Sequence, residues 1–255
     1  VSLALVRAAR RPPGAERPPP GSPRARTVWL LDLDNTLHDA LPAIMPRINR
    51  AMTDYVMRTV GLDEAAASAL RVQYWRRYGA TLLGMVRHHG VDPHAFLRET
   101  HPFPDLHRLV RRDVRLAHLL RRLPGRKIVV TNAPAAYAGG VIAALGIGPM
   151  LDGMIAIEQM HSAGVLHPKP SRPMLGKLLA RLRLPASRCV LVEDTVENLR
   201  AARHCGVRTV LVSGIAWGGR PAWQRPRRGQ RGIDVQVRSV VQLARTPLAG
   251  RTHAH

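Results

Sequence analysis

The spacing of apolar positions divides the chain into stretches of different texture. From Thr27 to Leu33 it reads TVWLLDL, a short and nearly continuous apolar run that ends in acidic residues. A parallel strand buried on both faces has this appearance, and in an open α/β sheet such a strand delivers its last side chains to the carboxyl edge, where ligands bind. From about Ala40 to Leu119 the pattern becomes helical, with Ile48 to Val60, Glu64 to Tyr78 and Thr81 to His88 as the clearest segments and Gly61, Gly79, Gly90 and Pro93 as breaks between them. No convincing strand interrupts this stretch.

Strand-like runs return at Lys127 to Thr131, Met154 to Ile157, Cys189 to Glu193 and Thr209 to Val212, alternating with helical patterns over Ala135 to Leu145, Pro173 to Leu182 and Val196 to His204. Alternating strands and helices predict an α/β fold, a Rossmann-like parallel sheet core with helices on both faces. The expected organisation is a Pro/Arg-rich extended leader over 1–26, a core from 27–39 and 119–217, and an inserted all-helical segment over 40–118. An Arg-rich C-terminal segment follows over 218–255, partly core near 232–243, where Ile233 to Val237 is a weak strand candidate. No internal repeat is visible.

A formal charge of +22 would ordinarily suggest a nucleic-acid or anionic partner. The make-up of that charge points elsewhere. Among 39 basic residues the lysines are Lys127, Lys169 and Lys177 alone, and the arginines are scattered in local pairs such as Arg76-Arg77, Arg111-Arg112 and Arg121-Arg122. This is the pattern of coding drift on solvated faces, so no specific nucleic acid is expected, although the positive field would draw phosphorylated anions toward the surface. No run approaches the roughly 18 apolar residues of a membrane span, and the first residues lack an apolar signal core and cleavage site, which predicts a cytoplasmic protein with no membrane partner. Cys189 and Cys205 are too few and too isolated for a metal knuckle or a disulfide framework and read as reduced core thiols.

Four signals fall where predicted strands end. Asp32-x-Asp34-x-Thr36 puts two carboxylates at i and i+2 on the tip of a strand, where a divalent cation would offset their repulsion. Thr131-Asn132 follows Ile128-Val129-Val130 and precedes a helix, a place that offers a hydroxyl, an amide and backbone N–H groups to a phosphate oxygen; a simple N-cap is an equally good reading. Lys169 stands between Pro168 and Pro170 as a compact cation on a stiffened backbone. Glu193-Asp194 leaves the strand Val190-Leu191-Val192 and opens a helix, which suits magnesium as well as it suits the helix dipole.

In this order the four motifs resemble the haloacid dehalogenase-like (HAD) hydrolase superfamily, over Thr27 to about Val212. The segments WLLDLDNTLHDA, VVTNAP, HPKPSRPML, VLVEDTVENLRAARHCGV and YWRRYGATLLGMVRHHGVDP look like its bacterial pyrimidine 5′-nucleotidases. The resemblance implies a phosphoric monoester hydrolase with Asp32 as the nucleophile that takes the phosphoryl group and Asp34 as the acid and base. Thr131, Asn132 and Lys169 would bind phosphate, with Thr131 and Lys169 also counted as catalytic. Mg2+ would be held by Asp32, the backbone carbonyl of Asp34, and Asp194, with Glu193 acting through water. The helical insert would be a cap that selects the substrate, for which His38, Tyr74, Arg77, Tyr78 and His88 are the candidates. An acid at Asp34 argues against carbon–halogen hydrolysis, since the dehalogenases lack one there.

The substrate expected on this resemblance is a pyrimidine nucleoside 5′-monophosphate such as UMP or CMP. A phosphatase of another small metabolite, a sugar phosphate or phosphoglycolate, or a phosphomutase would share all four motifs. A basic nucleic-acid-binding protein with a relic site is the reading from a different class, and it fits poorly with few aromatics and four filled catalytic positions.

Overall fold

The computed structural model describes residues 27–162, 165–219, 225–226 and 229–249. The leader expected over 1–26 lies outside them. In chain order the strands are β1 (Val28–Leu31), β2 (Arg126–Val130), β3 (Gly153–Ile155), β4 (His161–Ser162), β5 (Val165–Leu166), β6 (Cys189–Glu193), β7 (Arg208–Val212) and β8 (Val235–Val237). Six of them form one sheet in the order β3-β2-β1-β6-β7-β8, with every pairing parallel, while β4 and β5 make a separate antiparallel ribbon.

The unbroken apolar runs are explained by burial on both faces. Val28 and Leu30 of β1 join Ile128, Val130, Leu191 and Leu211 in one apolar cluster, while Trp29 and Leu31 join Val129, Val190, Val192, Val210 and Val212 in the other. Adjacent residues serve opposite layers, so no polar alternation is left to see. The strand order reverses at β1, with β2 and β3 to one side and β6, β7 and β8 to the other. The carboxyl ends of β1, β2 and β6 therefore bound the crevice where ligands bind in open α/β sheets.

Between β1 and β2 run α1 (Ile44–Val60), α2 (Glu64–Tyr78), α3 (Thr81–His89) and α4 (Pro93–Thr100), which pack on one another, followed by α5 (Leu106–Leu109) and α6 (Val114–Arg122). Asp63 caps α2 by accepting from the N–H of Ala66, and Asp92 caps α4 by accepting from His94 and Ala95. Two glycines fix how this insert packs. A Cβ on Gly84 would lie 2.1 Å from Cγ of Tyr74, so only glycine lets α3 approach α2 this closely. Gly79 has φ +83°, and a Cβ there would lie 2.9 Å from Cδ of Pro170, so the corner between α2 and α3 rests directly on the Lys169-Pro170 segment.

The expected insert of 40–118 ends earlier in the structure. α6 sends Leu116, Leu119 and Leu120 into the same cluster as Trp29 and Val129, and it packs against the turns Gly148–Met150 and Val240–Arg245. Its i, i+3, i+4 apolar stripe marks a buried face but carries no mark of which layer it covers. α7 (Ala135–Leu145), α8 (Arg172–Leu182) and α9 (Val196–His204) complete the layers. The weak strand candidate at Ile233 to Val237 is present as β8, in parallel register with β7, followed by buried Val240 and Leu243. Cys189 is buried and Cys205 half-buried, and both are free thiols. Among the described residues no helix is long and apolar enough to cross a membrane.

Candidate active site

Asp32 directly follows β1, and its N–H donates to the carbonyl of Val192 at 3.0 Å, carrying the β1–β6 ladder one residue past the strand. This brings its carboxylate beside Glu193, the last residue of β6. Between them lies Lys169, whose Nζ is 2.5 Å from Asp32 Oδ1 and 2.8 Å from Glu193 Oε2. All three side chains are buried, Lys169 to 3 % exposure and Glu193 to 1 %. Asn132 holds the lysine's backbone from both sides: its Nδ2 donates to the carbonyl of Lys169 at 2.9 Å, and its Oδ1 accepts from the N–H of Lys169 at 2.8 Å. Asn132 was expected to bind phosphate, but its side-chain amide is committed to placing Lys169. Thr131 is buried at the end of β2, and its hydroxyl accepts from the N–H of Ala133 at 3.1 Å.

Glu193 is saturated with donors. Its Oε1 accepts from the N–H groups of Asp194 and Thr195, both at 3.2 Å, while Oε2 takes Lys169. Asp194 accepts at Oδ1 from the Thr195 hydroxyl at 3.1 Å, and its carbonyl accepts from Nε1 of Trp217 at 2.8 Å. Trp217 carries no motif in the sequence; its lone position in a Gly-rich tail gives no warning of this contact. Carboxylate oxygens of Asp32, Glu193 and Asp194 lie within 4.8 Å of one another.

Three carboxylates beside one lysine leave an excess of negative charge in a buried region. Burial, then the charge of Glu193, pushes Asp32 up to about 7 despite the lysine. Burial and the charges of Glu193 and Asp32 push Asp194 up to about 9. Burial also works against the charges of Lys169 and Glu193, but their mutual attraction and hydrogen bonds prevail, holding the lysine above and Glu193 below their ordinary values. The pocket thus lacks positive charge where oxygen ligands are clustered, which is the donor set of a hard divalent cation.

Asp34 occupies a separate subsite. Asn35 adopts φ +60°, a left-handed conformation that asparagine tolerates, and its side chain accepts from the N–H of Ala40 at 3.2 Å. The resulting tight loop, with Leu37 N–H donating to Leu33 O at 2.9 Å, folds His38 back under Asp34. His38 Nε2 lies 2.8 Å from Asp34 Oδ1, and the Tyr137 hydroxyl donates to the same oxygen at 2.6 Å. Tyr137 was not anticipated from sequence; it sits in the first turns of α7, six residues past Thr131, where it reads as an ordinary core aromatic. Burial and the nearby Asp34 carboxylate hold its phenol well above its usual value, so it remains a donor.

His101 packs its ring against Tyr137, with centroids 5.6 Å apart. Burial lowers it to about 4, so it is neutral at physiological pH. Its unfolded value lies near 6.5, hence the stability it contributes is complete above that pH and is lost as pH falls toward 4. A partly exposed edge tempers the effect, which reaches up to about 3 kcal/mol. Urea unfolding across this range is expected to show a shallower acid slope for His101→Asn than for the wild type.

The remaining cap candidates make contacts with one another and with the histidines of α3. Tyr74 is buried against Gly84, with its hydroxyl 2.8 Å from His89 Nε2, while the Tyr78 hydroxyl is 2.7 Å from His88 Nε2 and the Arg77 guanidinium lies 5.5 Å from the Tyr78 ring centre. Of the five residues expected to select substrate, His38 alone is brought to an active-site acid in this arrangement, and there it contacts Asp34.

A family model described as haloacid dehalogenase-like hydrolase matches residues 28–206. The chain belongs to the haloacid dehalogenase-like hydrolases. This hydrolase is 29% identical over 210 residues to the plasmid-encoded phosphoglycolate phosphatase of Cupriavidus necator, covering 77% of this chain and 85% of that one. It is 23% identical over 214 residues to phosphate metabolism protein 8 of Saccharomyces cerevisiae; the match takes in 78% of this chain but spans only 64% of the yeast protein. Among solved structures, CbbY from Rhodobacter sphaeroides in complex with phosphate shares the fold with a TM-score of 0.55 at 19% identity, covering 85% of this chain and 95% of that one.

Proposed function

We propose that this hydrolase is a magnesium-dependent phosphatase of small phosphomonoesters that works through an aspartyl-phosphate. The observation that carries the reading is the buried Lys169 shared between Asp32 and Glu193 at adjacent strand ends, with Asp34 held nearby on its own hydrogen bonds. An oxygen of Asp32 attacks phosphorus as the bond to the ester oxygen breaks, and a protonated Asp34 gives its proton to the departing alkoxide. Asp34 then takes a proton from water, the water oxygen attacks the phosphorus of the acyl phosphate, and inorganic phosphate leaves with Asp32 restored. Thr131 and Lys169 bind the phosphoryl oxygens and offset the repulsion between carboxylate and dianion.

Magnesium fits the residues present, with Asp32, Asp194 and the backbone carbonyl of Asp34 as ligands and Glu193 assisting. When bound it would supply positive charge to the transferring phosphoryl group. The side chain of Asp34 is engaged by His38 and Tyr137, in keeping with a carbonyl rather than a carboxylate ligand from that residue. The insert of α1–α4 would act as the cap.

For the substrate, the names of the curated relatives favour phosphoglycolate or a similar small ester. A pyrimidine nucleoside 5′-monophosphate is the second reading, supported by the wording of WLLDLDNTLHDA and VVTNAP. Phosphate release should be measured on 2-phosphoglycolate, sugar phosphates, UMP and CMP, with magnesium and with EDTA. Turnover is expected to fall about 100-fold or more in EDTA and to favour 2-phosphoglycolate over UMP. A preference for UMP or CMP would reverse the substrate assignment, and activity indifferent to EDTA would refute the metal.

A further inference from the structure

Asp34 is the one proposed catalytic acid whose hydrogen bonds come from residues outside the four motifs. Both fall on the same atom, Oδ1: His38 Nε2 at 2.8 Å and the Tyr137 hydroxyl at 2.6 Å. A carboxylate oxygen accepts, so Nε2 of His38 carries the hydrogen. The other ring nitrogen, Nδ1, is buried with no hydrogen-bond partner among the described residues, so the bond to Asp34 is the polar contact that orients the ring. His38 is therefore held against Asp34 through Nε2, with a side chain only 2 % exposed.

One donor stands on a chain crossing between core and insert, and the other is packed by the second crossing. His38 belongs to the segment leading from β1 into α1. Tyr137 belongs to the core, but its ring is packed by His101 at 5.6 Å and Phe103 at 5.4 Å, both on the segment that leaves α4 for the core. Each crossing thus bears on the same carboxylate oxygen, one by a hydrogen bond and one through the tyrosine ring.

We propose that His38 and Tyr137 are positioning residues that clamp Oδ1 of Asp34, leaving Oδ2 as the oxygen that carries the proton to and from the ester oxygen and the water. The proposal rests on the phosphatase reading above and assigns no new reaction to it. Two donors on one oxygen fix the carboxyl plane, and a general acid acts only when its proton lies within hydrogen-bond reach of the leaving oxygen. Because one crossing carries His38 and the other packs the Tyr137 ring, the placement of the insert and of the proton donor are mechanically joined.

The dependence of rate on leaving group tests this. kcat/KM reports the phosphoryl transfer to Asp32. An alkyl phosphate needs its alkoxide protonated as it leaves, whereas p-nitrophenolate leaves without help. Tyr137→Phe and His38→Leu are expected to lower kcat/KM for 2-phosphoglycolate, or for the best alkyl ester of the panel above, by about 10- to 100-fold, and for p-nitrophenyl phosphate by less than about 3-fold. His38→Gln, which offers an amide N–H near the place of Nε2, should recover most of the loss. Thermal unfolding of each variant checks that it is folded.

Equal losses on both substrates, or no rescue by glutamine, would overturn the clamp and leave the phosphatase reading standing. A wild-type protein inactive on every phosphomonoester would overturn both.

Discussion

Asp32→Asn is expected to abolish magnesium-dependent phosphate release, by on the order of 10⁴-fold or more, and to leave the protein folded. The amide has the shape of the carboxylate but not the electron density to attack phosphorus. The fold should tolerate it because Asp32 is one of three clustered acids, two of which share Lys169, and burial with the charge of Glu193 already pushes it up to about 7. Removing that charge relieves repulsion on Asp194 while Glu193 keeps the lysine paired. The variant should therefore melt at or above the wild-type temperature without added metal. Acid-quenched wild-type protein incubated with substrate should yield a phosphorylated peptide containing residues 27–39 by mass spectrometry, and the variant none. Persistent turnover in the variant would remove Asp32 from its role.

Lys169→Met is expected to cost both activity and stability. The lysine is the cation that hydrogen-bonds both Asp32 and Glu193 inside the sheet's carboxyl edge. Breaking a buried pair by removing one partner typically costs about 3–5 kcal/mol, because the remaining charge is left uncompensated. Urea unfolding at neutral pH in EDTA should show a loss of that order. The loss should shrink as pH falls through about 7, since Asp32 is held there in the folded state, above its unfolded value of 3.8, and sheds its charge by binding a proton. Magnesium should restore part of the stability at neutral pH, but turnover should stay depressed about 100-fold or more for want of the phosphate-binding ammonium. Equal stability of variant and wild type at neutral pH would show that the carboxylate cluster does not depend on the lysine.

The four strand-end motifs were legible because an apolar strand that stops abruptly at acids, a hydroxyl or an amide declares its carboxyl edge. Lys169 stood out because the chain otherwise uses arginine. The supporting residues were not legible. Tyr137 is 103 residues from Asp34 and looks like any aromatic on a helix. Asn132 could be read as a phosphate ligand or an N-cap, and only its two bonds to the backbone of Lys169, 37 residues away, show what its side chain holds. The cap aromatics were attractive as substrate contacts by residue type. In the fold the Tyr74 hydroxyl meets His89 and the Tyr78 hydroxyl meets His88, across the close passage of α3 at Gly84.

By itself, then, the sequence determined the alternation of strands and helices, the two-sided burial of the sheet, and the strand tips on which the chemistry-bearing residues stand. These follow from periodicities of two to four residues, which are local. Only the tertiary structure decided that Lys169 lies between Asp32 and Glu193, that α6 joins the apolar cluster of Trp29 and Val129, and that His38 and Tyr137 meet on one oxygen of Asp34. An apolar stripe or a lone polar side chain specifies that a partner must exist, since burial without one is costly. Which partner it finds is set by strand order and packing, and these have no signature in local spacing.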